Sequence, residues 1–350
     1  MRCSSHTVIG VDIGRRTMKA VQLRRASGRY RVAALALLPR PQAEAEVSRA
    51  DAQALRSVLR RQGFIGRRIV VAAPDAALMR ATLELPANVS GAPVGQIVRM
   101  ELARLYNVAP ETFEVAHWET KTPEGAKPMT QTLAIGCPHE AADALLDIFE
   151  DSGFDVTALD VRSAAAVRAC GPVLLPSPGI TAIADVGWRA TSVLFVCGRS
   201  LIYERILEGS AMSELTDRLA EAFGITSEGA TQVINTVGLS AEAGIASLDQ
   251  ATLEAVRKHL RHHFDRLLEE LKVPFSYARH QFPAEGVQRL LLIGGGATVP
   301  QLASYFADRL GIDVRAAAPS DLVECPNELL AKAGNPAITV STGLARFGEG

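Results

Sequence analysis

The chain carries one pattern of apolar and polar positions twice, once in each half. Residues 8–21 and 182–194 each begin with an apolar run that ends in Asp-x-Gly, pass through a short polar turn, and continue into a second apolar run. Apolar runs of this length are typical of buried β-strands, and a glycine after the first run favours a tight turn. Each copy therefore predicts two strands joined by a hairpin.

Similar elements follow each hairpin. Spacing of the apolar residues predicts further strands at residues 30–38, 68–73, 200–207 and 289–293. It predicts helices at 48–63, from 209 through Phe223, at 252–280 with a kink at Pro274, at 299–310 and at 335–347. This order predicts an α/β protein in which β-β-β-α-β halves are duplicated.

A block of different texture separates the two halves. Strands are predicted at residues 79–85, 113–119, 131–136 and 155–159, with helices at 94–106 and 139–153. The block carries no glycine-rich loop and no cluster of titratable groups, which favours recognition over chemistry. We expect a first lobe at 1–77, an inserted α+β subdomain for partner docking at 78–160, a return helix and linker at 161–180, and a second lobe at 181–350.

Composition narrows the class of protein. The 350 residues carry 37 basic and 38 acidic side chains, without the basic excess of a nucleic-acid binder. No apolar run approaches the roughly 20 residues that cross a bilayer, and the N-terminus lacks a signal sequence. The five cysteines are scattered, as in a reducing compartment. We expect a cytoplasmic protein that reaches any membrane through a partner.

The two hairpin turns have the chemistry of phosphate-binding loops. A glycine lets backbone N–H groups converge on an anion without a Cβ in the way, which suits Gly14 and Gly187. Thr17 and Thr191 would add hydroxyl donors at matching places, and Lys19 would supply a positive charge. Arg15 and Arg16 either contact phosphate or are exposed hairpin charges.

Two carboxylates and a run of three glycines complete this pattern. Asp12 and Asp185 end the first strand of each hairpin, and we expect them to face each other between the halves and to hold Mg²⁺ through its water molecules. Gly294, Gly295 and Gly296 follow an apolar strand, where the backbone can approach an adenine ring or its α-phosphate. The combination predicts a nucleotide site.

A second candidate site lies in the long predicted helix. His259, His262 and His263 fall within two turns, at spacings that ligate metals. Four basic residues surround them, and a cationic neighbourhood disfavours a divalent ion. A solvated basic face is the favoured interpretation.

The loop residues resemble those of the actin-like ATPase superfamily, which has a ribonuclease H-like two-lobed fold. The chain looks most like its PilM-like branch of type IV pilus assembly proteins. The resemblance covers nearly the whole chain and includes the segments Leu-Glu-Leu-Pro at 83–86, Gly-Phe-Asp-Val at 153–156 and Gly-Gly-Gly-Ala at 294–297. It places Asp12, Gly14, Thr17 and Lys19 on a first phosphate loop, Asp185, Gly187 and Thr191 on a second, and Gly294 to Gly296 on a nucleoside loop.

The resemblance implies a cytoplasmic scaffold that binds ATP with Mg²⁺. Its implied partner is the N-terminal cytosolic tail of a PilN-like inner-membrane protein, and self-association is left open. The family usually has serines at Arg15 and Arg16, a lysine near Ile234, a glutamate at Thr231 and a glycine at Ser210. These departures predict at most slow hydrolysis. An ATPase or sugar kinase with real turnover, and a scaffold that has lost nucleotide binding, stay open as alternatives.

Overall fold

The computed structural model describes residues 5–43, 45–86, 94–120, 129–176, 179–239, 249–282 and 286–348. Its strands are β1 (Ser5–Ile13), β2 (Thr17–Ala26), β3 (Arg29–Pro39), β4 (Arg68–Ala72), β5 (Met79–Pro86), β6 (Phe113–Glu119), β7 (Met129–Pro138), β8 (Asp155–Asp160), β9 (Ile180–Val186), β10 (Thr191–Cys197), β11 (Ser200–Leu207), β12 (Val287–Ile293) and β13 (Asp313–Ala316). Its helices are α1 (Arg49–Arg61), α2 (Val94–Tyr106), α3 (His139–Asp151), α4 (Arg162–Cys170), α5 (Met212–Phe223), α6 (Ser227–Val237), α7 (Gln250–Gln281), α8 (Leu302–Leu310), α9 (Pro319–Leu322), α10 (Leu330–Ala333) and α11 (Thr339–Leu344).

The chain forms two compact units. Unit 1 comprises Met1–Gly171, Arg199–Tyr203 and Val340–Gly350, and unit 2 comprises Pro172–Gly198 and Glu204–Thr339. The C-terminal residues therefore group with unit 1, whereas the sequence-based boundaries place them in the second lobe.

Unit 1 is built on a five-stranded sheet in the order β3-β2-β1-β4-β8. The β1–β2 and β2–β3 pairs are antiparallel, and the β1–β4 and β4–β8 pairs are parallel. Apolar residues of the sheet pack with residues of α1 and α3; they include Val11, Met18, Val71, Leu55 and Phe149. This core fixes the end of β1, where the first candidate loop begins.

A second sheet with the same strand arrangement follows in the order β11-β10-β9-β12-β13. The β9–β10 pair is antiparallel, and β12 pairs in parallel with both β9 and β13. All seven residues of β9 are buried, as expected for a central strand. The predicted duplication is thus confirmed, and the sequence analysis missed β13 because this four-residue strand carries two charged side chains.

The inserted part is smaller than the sequence boundaries suggest. A separate three-stranded sheet, β5-β7-β6, packs its apolar side chains against α2 through a core that includes Leu83, Val98, Leu102 and Phe113. By contrast, β8 pairs with β4, and α3 contributes Phe149 to the core of the larger sheet. The distinct α+β layer therefore spans residues 79–138, and residues 139–160 belong to the first sheet and its helices.

The C-terminal segment packs against β1 and α4 at two glycines. A Cβ at Gly10 would lie 2.2 Å from the Ser341 carbonyl oxygen, and a Cβ at Gly343 would lie 1.8 Å from the Ala165 carbonyl oxygen. Only glycine permits backbones to approach so closely. The closing helix predicted at 335–347 is instead a single turn at Pro336–Ile338 followed by α11.

The long helix α7 is continuous through Pro274, which is buried inside it. The kink that the sequence predicts at Pro274 is not accompanied by a break in the helix. In the part of the chain that the structure describes, no helix is long and apolar enough to cross a membrane.

The close packing at α11 generates a stability prediction. We expect Gly343→Ala to lower the free energy of unfolding by about 1–3 kcal/mol, because the added methyl group overlaps backbone that cannot move freely. Gly95→Ala in α2 is the matched control, since its new Cβ meets only His117 Cε1 at 3.4 Å. The control should stabilise the helix by about 0.5–1 kcal/mol. Urea unfolding followed by circular dichroism measures both, and equal effects of the two substitutions would contradict the packing argument.

Candidate functional site

Loop 1, the turn Gly14–Thr17 between β1 and β2, is a tight hairpin. The Gly14 N–H group donates to the Thr17 carbonyl oxygen at 2.9 Å, and Asp12 pairs with Lys19 across the two strands. A Cβ at Gly14 would lie 2.7 Å from Lys19 Nζ. Glycine at position 14 therefore leaves space for the lysine ammonium group beside the turn.

The carboxylate of Asp12 is buried and lies between two cations. Only 1% of Asp12 is exposed. Lys19 Nζ is 3.2 Å from Oδ2, and the Arg162 guanidinium donates to Oδ1. Burial alone would raise the pKa of Asp12, but Arg162 and Lys19 outweigh burial and hold the pKa below its usual value. Asp12 is therefore ionised and paired.

Arg162 is a residue of this site that the sequence analysis missed. It is the first residue of α4, and no local motif links it to Asp12, which lies 150 positions earlier in the chain. Its Nε atom also lies 3.1 Å from Asp75 Oδ2, and Asp75 Oδ1 accepts from Arg80 Nη2 at 2.5 Å. An alternating series of charges thus runs from loop 1 to the first strand of the inserted sheet.

A second buried ion pair, Arg40 with Asp51, is hydrogen-bonded to the backbone of loop 1. Arg40 donates to both carboxylate oxygens of Asp51, at 3.1 and 2.8 Å, and neither side chain is exposed to solvent to a significant extent. Arg40 Nη1 lies 3.5 Å from the Gly14 carbonyl oxygen and 3.4 Å from that of Arg15, and the Arg40 N–H group donates to the Arg16 carbonyl oxygen. Asp51 is itself part of the capping box with Ser48 that begins α1. The turn is therefore fixed to the start of a helix.

Arg15, within the turn, forms an ion pair with Glu46. Its guanidinium lies 3.0 Å from Glu46 Oε1, and the Glu46 side chain is largely exposed. This exposed ion pair fits the hairpin-charge interpretation of Arg15, and a role for Arg15 in contacting phosphate stays a prediction.

Loop 2, the turn Gly187–Ala190 between β9 and β10, has the same hydrogen bond as loop 1. The Gly187 N–H group donates to the Ala190 carbonyl oxygen at 3.0 Å. The first N–H groups of α5 add to this turn: Met212 donates to the Gly187 carbonyl oxygen at 3.3 Å and Ser213 donates to that of Trp188 at 2.9 Å. The N-terminus of α5 therefore lies beside loop 2.

The two threonines do not occupy matching places. Thr191 pairs with Val186, and Met18 pairs with Ile13, so Thr191 corresponds to Met18. Thr17 corresponds instead to Ala190. Thr191 is fully buried, whereas Thr17 is half-buried. A shift of one residue turns a side chain to the other face of a sheet, so the predicted equivalence of the two hydroxyl groups is wrong.

The third loop follows β12 and lies against Asp185. Gly294 has a φ of +85°, and a Cβ there would lie 2.2 Å from Asp185 Oδ1. A Cβ at Gly296 would lie 2.3 Å from Val186 Cγ1. At Gly295, by contrast, no described atom lies within 4 Å of an added Cβ. The outer glycines are thus required by packing, and the middle one leaves open space above the backbone.

Helix α6 contributes a residue to this third loop. The Thr298 hydroxyl lies 2.6 Å from the Gly295 carbonyl oxygen and 3.1 Å from Asn235 Oδ1. Ile234, which stands where the family usually has a lysine, is buried in the core. The Thr231 hydroxyl donates to a carbonyl oxygen of its own helix. Asn235 is therefore the side chain through which α6 reaches the loop, and the family pattern points instead to its neighbour Ile234.

The histidines of α7 do not form a metal site. His263 is buried and its Nδ1 atom lies 2.9 Å from Arg218 Nη2. Burial, followed by the charges of Arg218 and Arg266, lowers the pKa of His263 to about 3. His259 packs edge-on against the Phe223 ring. Among the described residues no group of three or more metal-ligating side chains is present.

A Mg²⁺ ion does not fit Asp12 in this arrangement. Both carboxylate oxygens face cations, Arg162 at Oδ1 and Lys19 at Oδ2. A divalent cation, or the waters that it holds, would have to displace one of these side chains. Asp185, in unit 2, is the other candidate carboxylate, and its role with a metal stays a prediction.

Comparison with known proteins gives one family and several related structures. The family described as "Type IV pilus assembly protein PilM" matches residues 10–346. A solved PilM-PilN type IV pilus biogenesis complex is similar over 97% of this chain and 98% of that chain, with a TM-score of 0.79 at 21% identity. The ethanolamine utilization protein EutJ from Carboxydothermus hydrogenoformans covers 98% and 90%, with a TM-score of 0.54 at 15% identity. MreB 5 of Spiroplasma citri bound to AMPPNP covers 97% and 95%, with a TM-score of 0.52 at 12% identity. These likenesses establish the actin-like fold.

The Arg40–Asp51 pair generates a stability prediction. Asp51→Asn should lower the free energy of unfolding at neutral pH by about 3–5 kcal/mol, because Arg40 is left buried without its counter-ion. Asp151→Asn removes the exposed partner of Arg49 and should cost less than about 1 kcal/mol.

The pH dependence provides a further check on the same variant. Burial would raise the pKa of Asp51, but hydrogen bonds from Arg40 and Ser48 hold it below the usual value. The stabilisation by the ionised pair is present above the unfolded carboxyl pKa of about 3.9 and is lost as pH falls through the lower folded value. Denaturant titrations should show the gap between Asp51→Asn and the unaltered protein narrowing below that pH. A gap independent of pH would argue against the ion pair as its source.

Proposed function

Because the chain belongs to the type IV pilus assembly protein PilM family, we propose that it is an actin-like scaffold that binds ATP and docks the cytosolic tail of an inner-membrane partner. The observation that carries the nucleotide part is the pair of Asp-x-Gly hairpins with the same turn hydrogen bond, one in each unit. We place the protein on the cytoplasmic side of the inner membrane, held there by the partner.

Loop 1 supplies positive charge for phosphate. Lys19, Arg162 and Arg80 bring three cationic groups to a cluster that contains two carboxylates, Asp12 and Asp75. The glycine at position 14 leaves the space in which the Lys19 ammonium group lies, and Arg15 and Thr17 belong to the same turn. This surplus of positive charge suits the phosphates of ATP.

Unit 2 supplies the contacts that we assign to the nucleoside and to the metal. The open space above Gly295 lets a flat ring approach the backbone, beside the hydroxyl of Thr298 and the amide of Asn235. Loop 2, which follows Asp185 in the chain, is held by the first N–H groups of α5. We assign Asp185 to the waters of the Mg²⁺ ion that accompanies ATP, which is the hydrated mode that Mg²⁺ prefers. The MreB 5 structure of the same fold holds AMPPNP.

The inserted sheet is the proposed docking element, and its two edges differ. On β5 the Tyr106 hydroxyl accepts from the Arg80 N–H group at 2.8 Å and donates to the Arg80 carbonyl oxygen at 2.9 Å. Pro86, at the other end of β5, has no N–H group. Among the described residues, the outward N–H groups of β5 that an added strand could use are thus confined to Thr82 and Glu84.

Among the described residues, the β6 edge offers a longer stretch of outward backbone groups without hydrogen bonds. The Thr120 N–H group donates to the Gln131 carbonyl oxygen of the β7 side at 2.8 Å. Because hydrogen bonding alternates along an antiparallel pair, Val115, His117 and Glu119 direct their backbone groups outward. An extended peptide can add as a fourth strand here, as in other complexes formed by strand addition. The tail of a PilN-like protein is the peptide that we propose.

Two alternatives make different demands on the site. A kinase or an ATPase with real turnover needs a carboxylate base beside the reacting hydroxyl or water. A scaffold that has lost nucleotide would retain docking at the inserted sheet and show no affinity for ATP. Self-association is not required by either part of the proposal.

Nucleotide binding is tested with variants in both units. Lys19→Met and Asp185→Asn should each weaken ATP affinity by about tenfold or more in the presence of Mg²⁺, since each removes a charged contact worth about 1.5–3 kcal/mol. Asp313→Asn is the matched control, because Asp313 lies on the edge strand β13, where it forms ion pairs with Arg289 and Arg315 and has no assigned contact with nucleotide. Isothermal titration calorimetry of the full chain measures the affinities. Failure of the unaltered protein to bind ATP would leave only the scaffold part of the proposal.

Docking is tested with one proline on each edge of the inserted sheet. His117→Pro removes an outward N–H group of β6 and leaves the bonds to β7 intact, a position where edge strands tolerate proline. It should weaken binding of a synthetic peptide with the N-terminal cytosolic sequence of the PilN-like protein by about tenfold or more. Thr82→Pro makes the same change on β5 and should have little effect. Fluorescence anisotropy with labelled peptide measures both, and the reverse pattern would assign docking to β5.

A further inference from the structure

Arg162 contacts the carboxylate of Asp12, the residue that the sequence assigns to a hydrated metal ion. Its guanidinium donates to Oδ1 of this buried carboxylate, and its Nε atom lies 3.1 Å from Asp75 Oδ2. We propose that Arg162 is a specificity-determining residue: it is the cation that neutralises Asp12, and it makes nucleotide binding at loop 1 independent of Mg²⁺. The second half of this statement rests on the proposed nucleotide binding.

The Arg162 guanidinium contacts two carboxylates, those of Asp12 and Asp75. Asp75, its second partner, is fixed by Arg80, whose Nη1 atom lies 3.1 Å from the Asp75 carbonyl oxygen and whose Nη2 atom lies 2.5 Å from Oδ1. Displacing Arg162 from Asp12 therefore disturbs a connected group of charges rather than one exposed side chain. Only 22% of the Arg162 side chain is exposed, which strengthens these interactions relative to water.

The position of Arg162 in its helix supports a specific role. It is the first residue of α4, where the helix dipole carries partial positive charge and a cation is unfavourable. The first turn of α4 contains no acidic side chain that would offset this. The compensation comes from Asp12 and Asp75, which lie outside the helix.

Electrostatics oppose a metal ion at the same carboxylate. Lys19 lies 3.2 Å from the second oxygen of Asp12, so a divalent cation would approach two positive charges inside a largely buried site. If a neutral residue replaces Arg162, Lys19 is the remaining cation beside Asp12. The Oδ1 atom of Asp12 then becomes available to a hydrated cation. A neutral residue at position 162 is therefore expected to create a metal site that the unaltered protein does not have.

Metal binding without nucleotide tests the first half of the proposal. Mn²⁺ is the probe, and electron paramagnetic resonance of the full chain measures the free ion. We expect no Mn²⁺ to bind at Asp12 in the unaltered protein at millimolar Mn²⁺. Asp12→Asn should therefore not change the concentration of free Mn²⁺. Arg162→Gln should bind additional Mn²⁺, and the double variant Arg162→Gln with Asp12→Asn should lose that binding again. Arg162→Lys, which keeps the charge, should behave like the unaltered protein.

Arg49→Gln is the matched control, because it neutralises an exposed arginine of unit 1 that pairs with Asp151. It should gain no Mn²⁺ site. Circular dichroism melting confirms that each variant is folded. The proposal is overturned if Asp12→Asn removes Mn²⁺ binding from the unaltered protein, or if Arg162→Gln gains no site that depends on Asp12.

Nucleotide titrations test the second half. We expect the loss of ATP affinity on replacing Mg²⁺ with EDTA to differ by less than about threefold between Asp12→Asn and the unaltered protein, because this loss arises at Asp185 and not at loop 1. In Arg162→Gln the loss in EDTA should be larger by about tenfold or more. A loss that is about tenfold smaller in Asp12→Asn than in the unaltered protein would overturn the independence of loop 1 from Mg²⁺. Absence of ATP binding under both conditions would instead refute the proposed function, and the Mn²⁺ measurement would still decide the role of Arg162.

Discussion

The burial of the Asp12 carboxylate is the constraint on which the arrangement of unit 1 depends. An ionised group that is 1% exposed is stable only if cations and hydrogen bonds replace its water. Lys19 comes from the neighbouring strand and needs the glycine at position 14 for space. Arg162 comes from α4, which is held in place by its close contact with α11. The first strand, the turn and two distant helices are thus all required to keep one carboxylate charged.

The two units repeat a backbone and differ in charge. Both hairpins close with the same hydrogen bond from glycine, and both sheets have the same strand order. Lys19 in unit 1 nevertheless corresponds to Ser192 in unit 2, as the strand registers show. Loop 2 is stabilised instead by backbone donors, because N–H groups at the start of α5 bind its carbonyl oxygens. Duplication has preserved the geometry of the turn, while one unit provides side-chain cations and the other provides an accessible glycine loop.

The sequence predicts the parts of this fold that local pattern determines. Apolar runs identify the long strands, and Asp-x-Gly identifies both turns. It does not predict β13, which is short and polar, or the membership of β8 in the first sheet, because pairing with β4 is a tertiary contact. The same limit applies to the site. Arg162 and Asn235 reach their loops from helices far along the chain, and no spacing rule connects them.

Register explains why the predicted role of Thr191 does not survive. Asp185 and Thr191 lie near a turn of the expected type, but a shift of a single position directs Thr191 into the core. Sequence motifs place residues along a strand, and only the hydrogen-bonded pairs determine the face on which each side chain lies.

The charges around Asp12 also bear on how the two proposed activities of unit 1 relate. Arg80 is bound twice, through its side chain to Asp75 and through its backbone to Tyr106. This residue therefore closes the β5 edge at the point where the inserted sheet meets the charges of loop 1. The β6 edge lies on the far side of β7 and shares none of these bonds. The peptide that we propose at β6 makes no direct contact with the Asp12 group, whereas β5 is linked to that group through Arg80, Asp75 and Arg162.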